Sequence, residues 1–295
     1  GVEMPLVGYG TYNVAGATAE RHVTMALEAG DRAVDTAQCY HNEKNVGRAI
    51  AKSGIPRDQV FITAKTWTVD YASTKRSIDQ SLRDLGTDYV DLLLVHEPAG
   101  DVCGNYAALE DAYKEGKARA IGVSNFIGKV FQQLVNSCSV VPAVNQVETH
   151  VYRQQHDMQA LCASSGTVLA SWSPLCSGEH NIFKDPVLKK IAGAHDVSVA
   201  QVALRALVQR GIPVVPKSKN AKRMRQNLDV FSFELTDDDI TRLIAFAVDY
   251  GGVAYAEQVM HHLRDEAAAC LAPFASSPVV DSLMAVFDYV ISRTK

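Results

Sequence analysis

Four residues in the first third of the chain carry side chains that together could move a proton to a carbonyl oxygen. They are a carboxylate, a phenol, an ammonium and an imidazole: Asp35, Tyr40, Lys65 and His96. Three of them end short apolar runs, and Tyr40 lies just beyond the first of those runs. In a barrel of parallel strands, the carboxyl ends of the strands meet at one mouth. The set therefore suits acid–base chemistry on a carbonyl group.

Each of these residues has a simpler interpretation when it is taken alone. A lysine after a strand is usually a solvated loop charge, because charged side chains are mostly exposed. A single tyrosine or histidine is more often a structural residue with its hydrogen bonds satisfied. The functional interpretation therefore depends on the elements that would bring the four side chains together.

The chain alternates short, β-branched apolar runs with stretches of helical spacing, which predicts βαβ units and a parallel sheet. The apolar runs begin near Leu6, Ala33, Val60, Val90, Ala120, Ala143, Val168 and Pro213. The helical stretches are Thr18 to Ala29, Glu43 to Lys52, Ser73 to Leu85, Asn105 to Glu115, Lys129 to Asn136, Gln154 to Ser164 and Val199 to Gln209. Eight strands favour an α/β fold of the (β/α)8 TIM-barrel type over a doubly wound sheet, and no GxGxxG motif follows the first strand.

Residues typical of helix ends agree with this division. Thr18 and Gly30 are predicted to cap the first helix, and Ser198 is predicted to begin the last helical stretch. Thr236, followed by three aspartates, predicts one more helix start, because carboxylates are favoured near a helix N-terminus.

The pattern predicts a single barrel domain over residues 1–250, with an N-terminal β segment, and an atypical helical tail over residues 251–295. We expect the tail to pack on or beside the barrel, because its apolar residues recur at helical spacing. An oligomer interface or a substrate lid is the alternative. The apolar residues at helical spacing would form a stripe along one face of the tail helix, and they are Val280, Leu283, Val286, Phe287, Val290 and Ile291. The adjacent His261 and His262 would point apart on a helix, so we interpret them as structural.

Composition narrows the class of protein. The chain has 295 residues and a formal net charge of −4, which argues against nucleic acid as the main partner. No apolar run reaches the roughly 18 residues of a membrane span, and the N-terminus has no signal-like segment. Six cysteines without a CxxC pair predict reduced thiols and a cytoplasmic location. Gly1 stands where an initiator methionine would, which leaves open whether a targeting segment was removed.

Further polar residues follow the remaining apolar runs. Hydroxyl and amide side chains there suit the binding of a flat amide ring, and Trp172 offers a stacking face. A basic cluster after the eighth run offers donors for a phosphate group, with a solvated basic face as the alternative. That cluster consists of Lys217, Ser218, Lys219, Lys222 and Arg223.

Ordered motifs between about Pro5 and Thr236 resemble the aldo-keto reductase family. They are Asp35-Thr36-Ala37 with Tyr40 and Asn42-Glu43, Ile62-Thr63-Ala64-Lys65, Asp91 to His96, Lys114-Glu115-Gly116-Lys117, Ile121-Gly122-Val123-Ser124-Asn125-Phe126, Asn145-Gln146-Val147-Glu148, Ser173-Pro174-Leu175, and Pro216-Lys217-Ser218 with Arg223 and Asn227. The resemblance implies a (β/α)8 barrel, an extended nicotinamide cofactor and the reduction of a carbonyl substrate.

The resemblance also implies a role for each matching residue. Tyr40 would be the general acid, and Lys65 would lower the pKa of its phenol, which is about 10 in free tyrosine. Asp35 would hold Lys65 charged, and His96 would orient the carbonyl group. His96 and Glu97 would contact the substrate. No metal is expected, because the strand ends carry no His-x-His and few carboxylates.

The implied cofactor is NADPH/NADP+, since a basic cluster would bind its 2′-phosphate. The cofactor-binding residues implied by the resemblance are Gly10, Thr11, Tyr12, Ser124, Asn125, Gln146, Trp172, Ser173, Leu175, Lys217, Ser218, Arg223, Gln226 and Asn227.

Four positions depart from the family's usual residues, and one of them is Val151, which follows His150 where proline is usual. Glu97 stands where tryptophan is common, which removes an aromatic wall and makes the pocket more acidic. Trp172 replaces a usual tyrosine, and Gln226 replaces a common glutamate.

The sequence leaves the substrate open among sugar aldehydes, dicarbonyls, prostaglandin-type ketones and lipid aldehydes. A cofactor-binding barrel with a regulatory or structural role is the alternative function, and a metal-dependent hydrolase is the third. A monomer is the family expectation, with an oligomer through the tail as the alternative.

Overall fold

Parallel strands occupy the apolar runs of the sequence. The computed structural model describes residues 2–178, 181–249, 268, 279–280 and 282–286. In this part of the chain seven strands form one sheet in chain order, and every neighbouring pair is parallel. The strands are β1 (Tyr9–Gly10), β2 (Ala33–Asp35), β3 (Phe61–Thr66), β4 (Val90–Val95), β5 (Ala118–Ser124), β6 (Val144–Glu148) and β7 (Val168–Trp172).

The two edges of this sheet are joined through Val214. It pairs in parallel both with Ser171 of β7 and with Val7, which precedes β1. The eighth predicted run therefore lies between the first and last strands, as in a (β/α)8 barrel. It forms isolated bridges rather than a regular strand. Pro213 and Pro216 flank it, and a proline has no N–H with which to extend a ladder.

Helices follow the strands, and the predicted helical stretches are confirmed. In the described residues they are α1 (Gly16–Ala29), α2 (Glu43–Lys52), α3 (Tyr71–Leu85), α4 (Val102–Lys114), α5 (Lys129–Ser137), α6 (His156–Ser164), α7 (Pro186–Ala194), α8 (Val199–Val208), α9 (Ala221–Leu228) and α10 (Asp237–Asp249). The sequence did not predict α7 or α9. Among the helices described, no single one is long and apolar enough to cross a membrane, although α7 and α8 together pass that test as a pair bent by 86°.

The helix ends confirm three of the four predicted signals. Gly30 ends α1 with φ of 113°, and Ser198 forms a capping box with Gln201 at the start of α8. The backbone N–H of Asp239 donates to Thr236 Oγ1 at 3.1 Å, which begins α10. The prediction for Thr18 is wrong. Helix α1 begins two residues earlier, at Gly16, and Thr18 lies inside it.

Strand alternation separates the core into two layers, because successive side chains of a strand point to opposite faces. Residues of the outer face pack with the helices, as Val34, Ile62 and Leu93 do. The smaller inner cluster contains Ala33, Phe61, Leu92, Leu94, Val144 and Ala170. Polar residues that follow these positions at even spacing therefore share the inner face at the carboxyl ends of the strands.

The chain divides into two compact units, Gly1–Ile240 and Thr241–Lys295. Residues 279–280 and 282–286 are helical and include Val280, Leu283 and Val286 of the predicted stripe. The rest of that stripe and both tail histidines lie outside the described residues. The packing of the tail on the barrel stays a prediction.

Candidate active site

The inner face of the sheet brings three of the four proton-transfer candidates together. Asp35 lies two residues after Ala33, and Lys65 lies four residues after Phe61. His96 follows the end of β4, two residues after Leu94. Because even spacing along a strand keeps side chains on one face, all three point into the barrel.

Lys65 and Asp35 form a buried ion pair. Their side chains are 1% and 6% exposed, and Lys65 Nζ donates to Asp35 Oδ1. The other carboxylate oxygen of Asp35 accepts a hydrogen bond of 2.8 Å from Gln146 Nε2. Lys65 Nζ also lies 3.2 Å from the carbonyl oxygen of Thr36 and 3.5 Å from the phenolic oxygen of Tyr40. The ammonium group is thus fixed with one side towards the phenol.

Tyr40 ends a single 3-10 turn, Gln38–Tyr40, which begins three residues after the end of β2. Its ring centroid lies 5.1 Å from that of Tyr12 and 5.6 Å from the His96 ring. Burial, followed by the charge of Asp35, raises the pKa of the Tyr40 phenol above its ordinary value. The expected lowering of this pKa by Lys65 is therefore not found. The ion pair with Asp35 compensates the positive charge of Lys65, so the phenol stays protonated.

His96 is a neutral imidazole in this site. Burial, with a smaller contribution from the charge of Lys65, lowers the pKa of His96 to about 3. Its ring packs edge-on against Trp67, with 5.1 Å between the ring centroids. Its Nδ1 lies 3.4 Å from Cys39 Sγ. A neutral imidazole can donate one hydrogen bond, which is what a carbonyl oxygen needs from a neighbour.

The side-chain amide of Asn125 connects Glu97 to Trp172. Its backbone has φ of 64°, a left-handed conformation that asparagine tolerates better than most residues. Asn125 Nδ2 donates to Glu97 Oε1 at 2.5 Å, and Asn125 Oδ1 accepts from Trp172 Nε1 at 2.7 Å. Burial raises the pKa of Glu97, and the hydrogen bond from Asn125 opposes this effect. The three predicted residues thus form one hydrogen-bonded row.

The predicted phosphate-binding cluster lies on the segment that follows the eighth run and on the first turn of α9. Lys217 Nζ donates to the carbonyl oxygen of Tyr12 at 2.9 Å, and burial and Lys219 lower the pKa of Lys217. The side chain of Asn220 caps α9 by accepting from the backbone N–H of Arg223 at 3.1 Å. Cationic side chains beside a helix N-terminus match the chemistry of a phosphate group. The residues present therefore fit the phosphorylated end of the implied cofactor.

The remaining predicted cofactor residues lie on the same strand ends or on α9. Thr11 Oγ1 donates to the carbonyl oxygen of Asp35 at 2.9 Å, and Ser124 lies opposite Gln146 in the β5–β6 register. A Cβ at Gly10 would lie 2.6 Å from the carbonyl oxygen of Val215, so this position accepts only glycine. Ser173 and Leu175 follow β7. Ser218 accepts a 3.1 Å hydrogen bond from the backbone N–H of Asn220. Helix α9 carries Gln226 and the buried Asn227. No hydrogen bond within the described residues links Gln226 or Asn227 to the four proton-transfer candidates.

The comparisons with known proteins agree with this geometry. The sequence profile of the Aldo/keto reductase family matches residues 6–247. The chain belongs to this family. It is 41% identical over 247 residues to the 9,11-endoperoxide prostaglandin H2 reductase of Trypanosoma cruzi, with 82% of this chain and 87% of that protein covered. It is 41% identical over 253 residues to the glyoxal reductase of Bacillus subtilis, with 84% and 91% covered.

Solved structures show the same aldo/keto reductase fold. An aldo-keto reductase from a Medee basin deep-sea metagenome library aligns with a TM-score of 0.81 at 40% identity, covering 82% of this chain and 91% of that one. An aldo/keto reductase from Brucella melitensis aligns with a TM-score of 0.78 at 38% identity, covering 81% and 94%.

Two contacts in this aldo/keto reductase site were not predicted from the sequence. The backbone carbonyl of Thr36 accepts from Lys65, and backbone groups leave no pattern in a sequence. The Trp67 ring packs on His96, and a tryptophan two residues after the predicted strand end at Lys65 could have indicated this. Among the residues that the structure describes, no group of three or more histidine, cysteine, aspartate or glutamate side chains could hold a metal ion.

Proposed function

We propose that the chain is an NADPH-dependent reductase of aldehydes or ketones, with Tyr40 as the proton donor. The observation that carries this proposal is the position of the buried Lys65–Asp35 pair, whose ammonium group lies 3.5 Å from the phenolic oxygen of Tyr40. A cofactor-binding barrel without turnover has no need for a buried charge pair aimed at a phenol.

In the proposed reaction the chain supplies a proton and holds the carbonyl group. Tyr40, protonated because its pKa is raised, donates its proton to the carbonyl oxygen. The phenolate that forms lies beside Lys65 Nζ, which stabilises it by charge and by a hydrogen bond. Neutral His96 donates a hydrogen bond to the same oxygen and orients the substrate.

The cofactor would be held at two places. Ser124, Asn125 and Gln146 would bind the carboxamide, with Trp172 against the ring. Gln146 Nε2 is engaged by Asp35, which leaves its Oε1 for the amide N–H of the carboxamide. Lys217, Ser218 and Arg223 would bind the 2′-phosphate, which favours NADPH over NADH. When bound, the nicotinamide supplies the hydride.

Loss of NADPH absorbance, followed with a panel of carbonyl compounds, tests the proposed activity. The panel includes glyoxal and methylglyoxal, because one relative is named a glyoxal reductase. We expect turnover of at least one aldehyde or dicarbonyl. If the protein binds NADPH, measured by quenching of tryptophan fluorescence, but turns over nothing on the panel, the proposal is wrong. The regulatory barrel would then be the better interpretation.

The cofactor preference has a separate test. We expect Arg223→Gln to weaken NADPH binding about tenfold, because a charge-assisted hydrogen bond to phosphate is lost, and to leave NADH binding unchanged. Arg76→Gln, at an exposed arginine on α3, is the matched control and should change neither affinity. An equal loss for both cofactors would contradict the assignment of Arg223 to the 2′-phosphate.

A further inference from the structure

His96 contacts a thiol through its ring nitrogen Nδ1. Cys39 Sγ lies 3.4 Å from His96 Nδ1, within hydrogen-bond distance for sulfur. The rings of Tyr40 and Trp67 meet the imidazole edge-on from other directions, at centroid distances of 5.6 and 5.1 Å. No hydrogen bond within the described part of the chain occupies His96 Nε2. This nitrogen is therefore the one left for a substrate.

The protonation states leave two possible arrangements for this pair. Burial lowers the pKa of His96 to about 3, so near neutral pH the ring carries one proton, on Nδ1 or on Nε2. Burial raises the pKa of the Cys39 thiol, so Cys39 keeps its S–H group. Either the thiol donates to a bare Nδ1, or a protonated Nδ1 donates to the sulfur. Only the first arrangement leaves a proton on Nε2.

We propose that Cys39 is a positioning residue, which donates its S–H to His96 Nδ1 and thereby keeps the imidazole proton on Nε2. The role of Nε2 towards a carbonyl oxygen rests on the function proposed above, whereas the tautomer itself does not. A bare Nε2 would present a lone pair to the carbonyl oxygen and repel it. The thiol thus selects the form of His96 that can orient a substrate.

The local structure holds Cys39 where this contact requires it. Cys39 is the middle residue of the Gln38–Tyr40 turn, so one turn carries both the proposed proton donor and the thiol. The backbone N–H of Tyr40 donates to the carbonyl oxygen of Ala37 at 3.1 Å, which closes the turn. The side chain of Gln38 accepts a 2.6 Å hydrogen bond from Ser77 of α3, which fixes the turn from outside.

Nitrogen-15 NMR of the imidazole rings in the ligand-free full chain tests the proposal without any turnover. His96→Gln assigns the signals of His96. In the wild type we expect a protonated Nε2 and a bare Nδ1. Cys39→Val removes the donor at similar volume and should lower the ratio of the Nε2-protonated to the Nδ1-protonated form about three- to tenfold, the range for one modest hydrogen bond. Cys39→Ser, which keeps an O–H donor, should restore most of this ratio.

Cys138→Val is the matched control, because Cys138 is also half-buried but bonds the carbonyl oxygen of Val135. It should leave the His96 signals unchanged. A proton on Nδ1 in the wild type, or an unchanged ratio in Cys39→Val, overturns the proposal.

Kinetics provide a second readout. In Cys39→Val we expect kcat/KM to fall about three- to tenfold with the NADPH Kd unchanged, and Cys39→Ser to recover most of the lost kcat/KM.

The proposed reductase activity and the proposed role of Cys39 fail in different ways. A wild type that reduces no carbonyl contradicts the reductase, and the NMR result still decides the role of Cys39. An active wild type whose Nδ1 carries the proton contradicts only the role of Cys39.

Discussion

At the scale of single residues, the geometry changes the role that the sequence suggested for Lys65. Its ammonium group is compensated by Asp35, and the pKa of Tyr40 is raised by burial and by that carboxylate. The phenol is therefore held in its protonated form, which is the form that the proposed reaction requires. In the proposed reaction, Lys65 would stabilise the phenolate that forms when the proton leaves, because only then does Tyr40 carry a charge.

Replacement of Lys65 separates its proposed effect on the Tyr40 phenolate from its neutralisation of the buried Asp35 carboxylate. Lys65→Met leaves the buried Asp35 carboxylate unpaired beside the phenol, so we expect kcat to fall at least about a hundredfold and stability to fall by about 3–5 kcal/mol. The double variant Lys65→Met/Asp35→Asn should recover most of the stability, measured by urea unfolding, but not kcat. Recovery of kcat in the double variant would show that Lys65 only neutralises Asp35.

Glu97 should select substrates by charge. Its carboxylate is the acceptor for Asn125 and lies close enough to raise the pKa of Tyr40. Glu97→Gln keeps an oxygen acceptor but removes the charge. We expect KM to rise about two- to fivefold for an aldehyde that carries an ammonium group and to fall for one that carries a carboxylate.

A neutral aldehyde is the control and should show little change in Glu97→Gln. Because burial raises the pKa of Glu97, its charge is lost as the pH falls, and the selectivity should weaken in the same direction. Equal KM changes for all three substrates would indicate that Glu97 acts only by positioning Asn125.

At the scale of elements, the interface between α2 and α3 contains a carboxyl group that the site does not use. Glu43 is 5% exposed, and its buried Oε1 has no hydrogen-bond partner among the residues that the structure describes. Burial raises its pKa to about 7, and the charge of Asp84 adds to this while the Ser81 hydroxyl opposes it. The folded protein therefore binds a proton here that the unfolded chain, with a glutamate pKa of about 4.3, has already lost near pH 6.

The raised pKa of Glu43 makes the free energy of unfolding fall as the pH rises. Between about pH 4.3 and about pH 7 the unfolded state ionises first, so Glu43 costs stability as the pH rises, up to about 4 kcal/mol above pH 7. Glu43→Gln should match the wild type near pH 4.5 and be more stable near pH 8.5. Urea unfolding at the two pH values measures this difference.

Glu28→Gln, at an exposed carboxylate of α1, is the control and should change stability little at either pH. A Glu43→Gln variant that is less stable than the wild type near pH 8.5 would contradict the account of a strained buried carboxylate.

At the scale of the whole molecule, the sequence predicted the arrangement well where one local pattern decides it. The strand end at Asp35 and the helix starts at Ser198 and Thr236 follow from local chemistry, and the structure confirms them, whereas β3 runs one residue beyond the predicted end at Lys65, to Thr66. Because strand parity fixes which residues point inward, the convergence of Asp35, Lys65 and His96 could be predicted as well.

Contacts between distant parts of the chain could not be predicted in the same way. Gln146 reaches Asp35 across 111 positions of sequence, and no local pattern indicates that pair. The reversal of the expected pKa shift on Tyr40 depends on burial and on a charge compensated by a neighbour, both of which are properties of the assembled site. Helix α9 was missed because it is short and mostly polar, so its apolar periodicity is weak.

The most direct test of the central claim compares Tyr40→Phe with the wild type in steady-state reduction of the best aldehyde of the panel. The variant removes one hydroxyl group and keeps the ring that packs on Tyr12 and His96. We predict that kcat falls by about a hundredfold or more, because a positioned general acid is lost, while the Kd for NADPH stays within about twofold of the wild type. A Tyr40→Phe variant that keeps wild-type kcat would contradict the account.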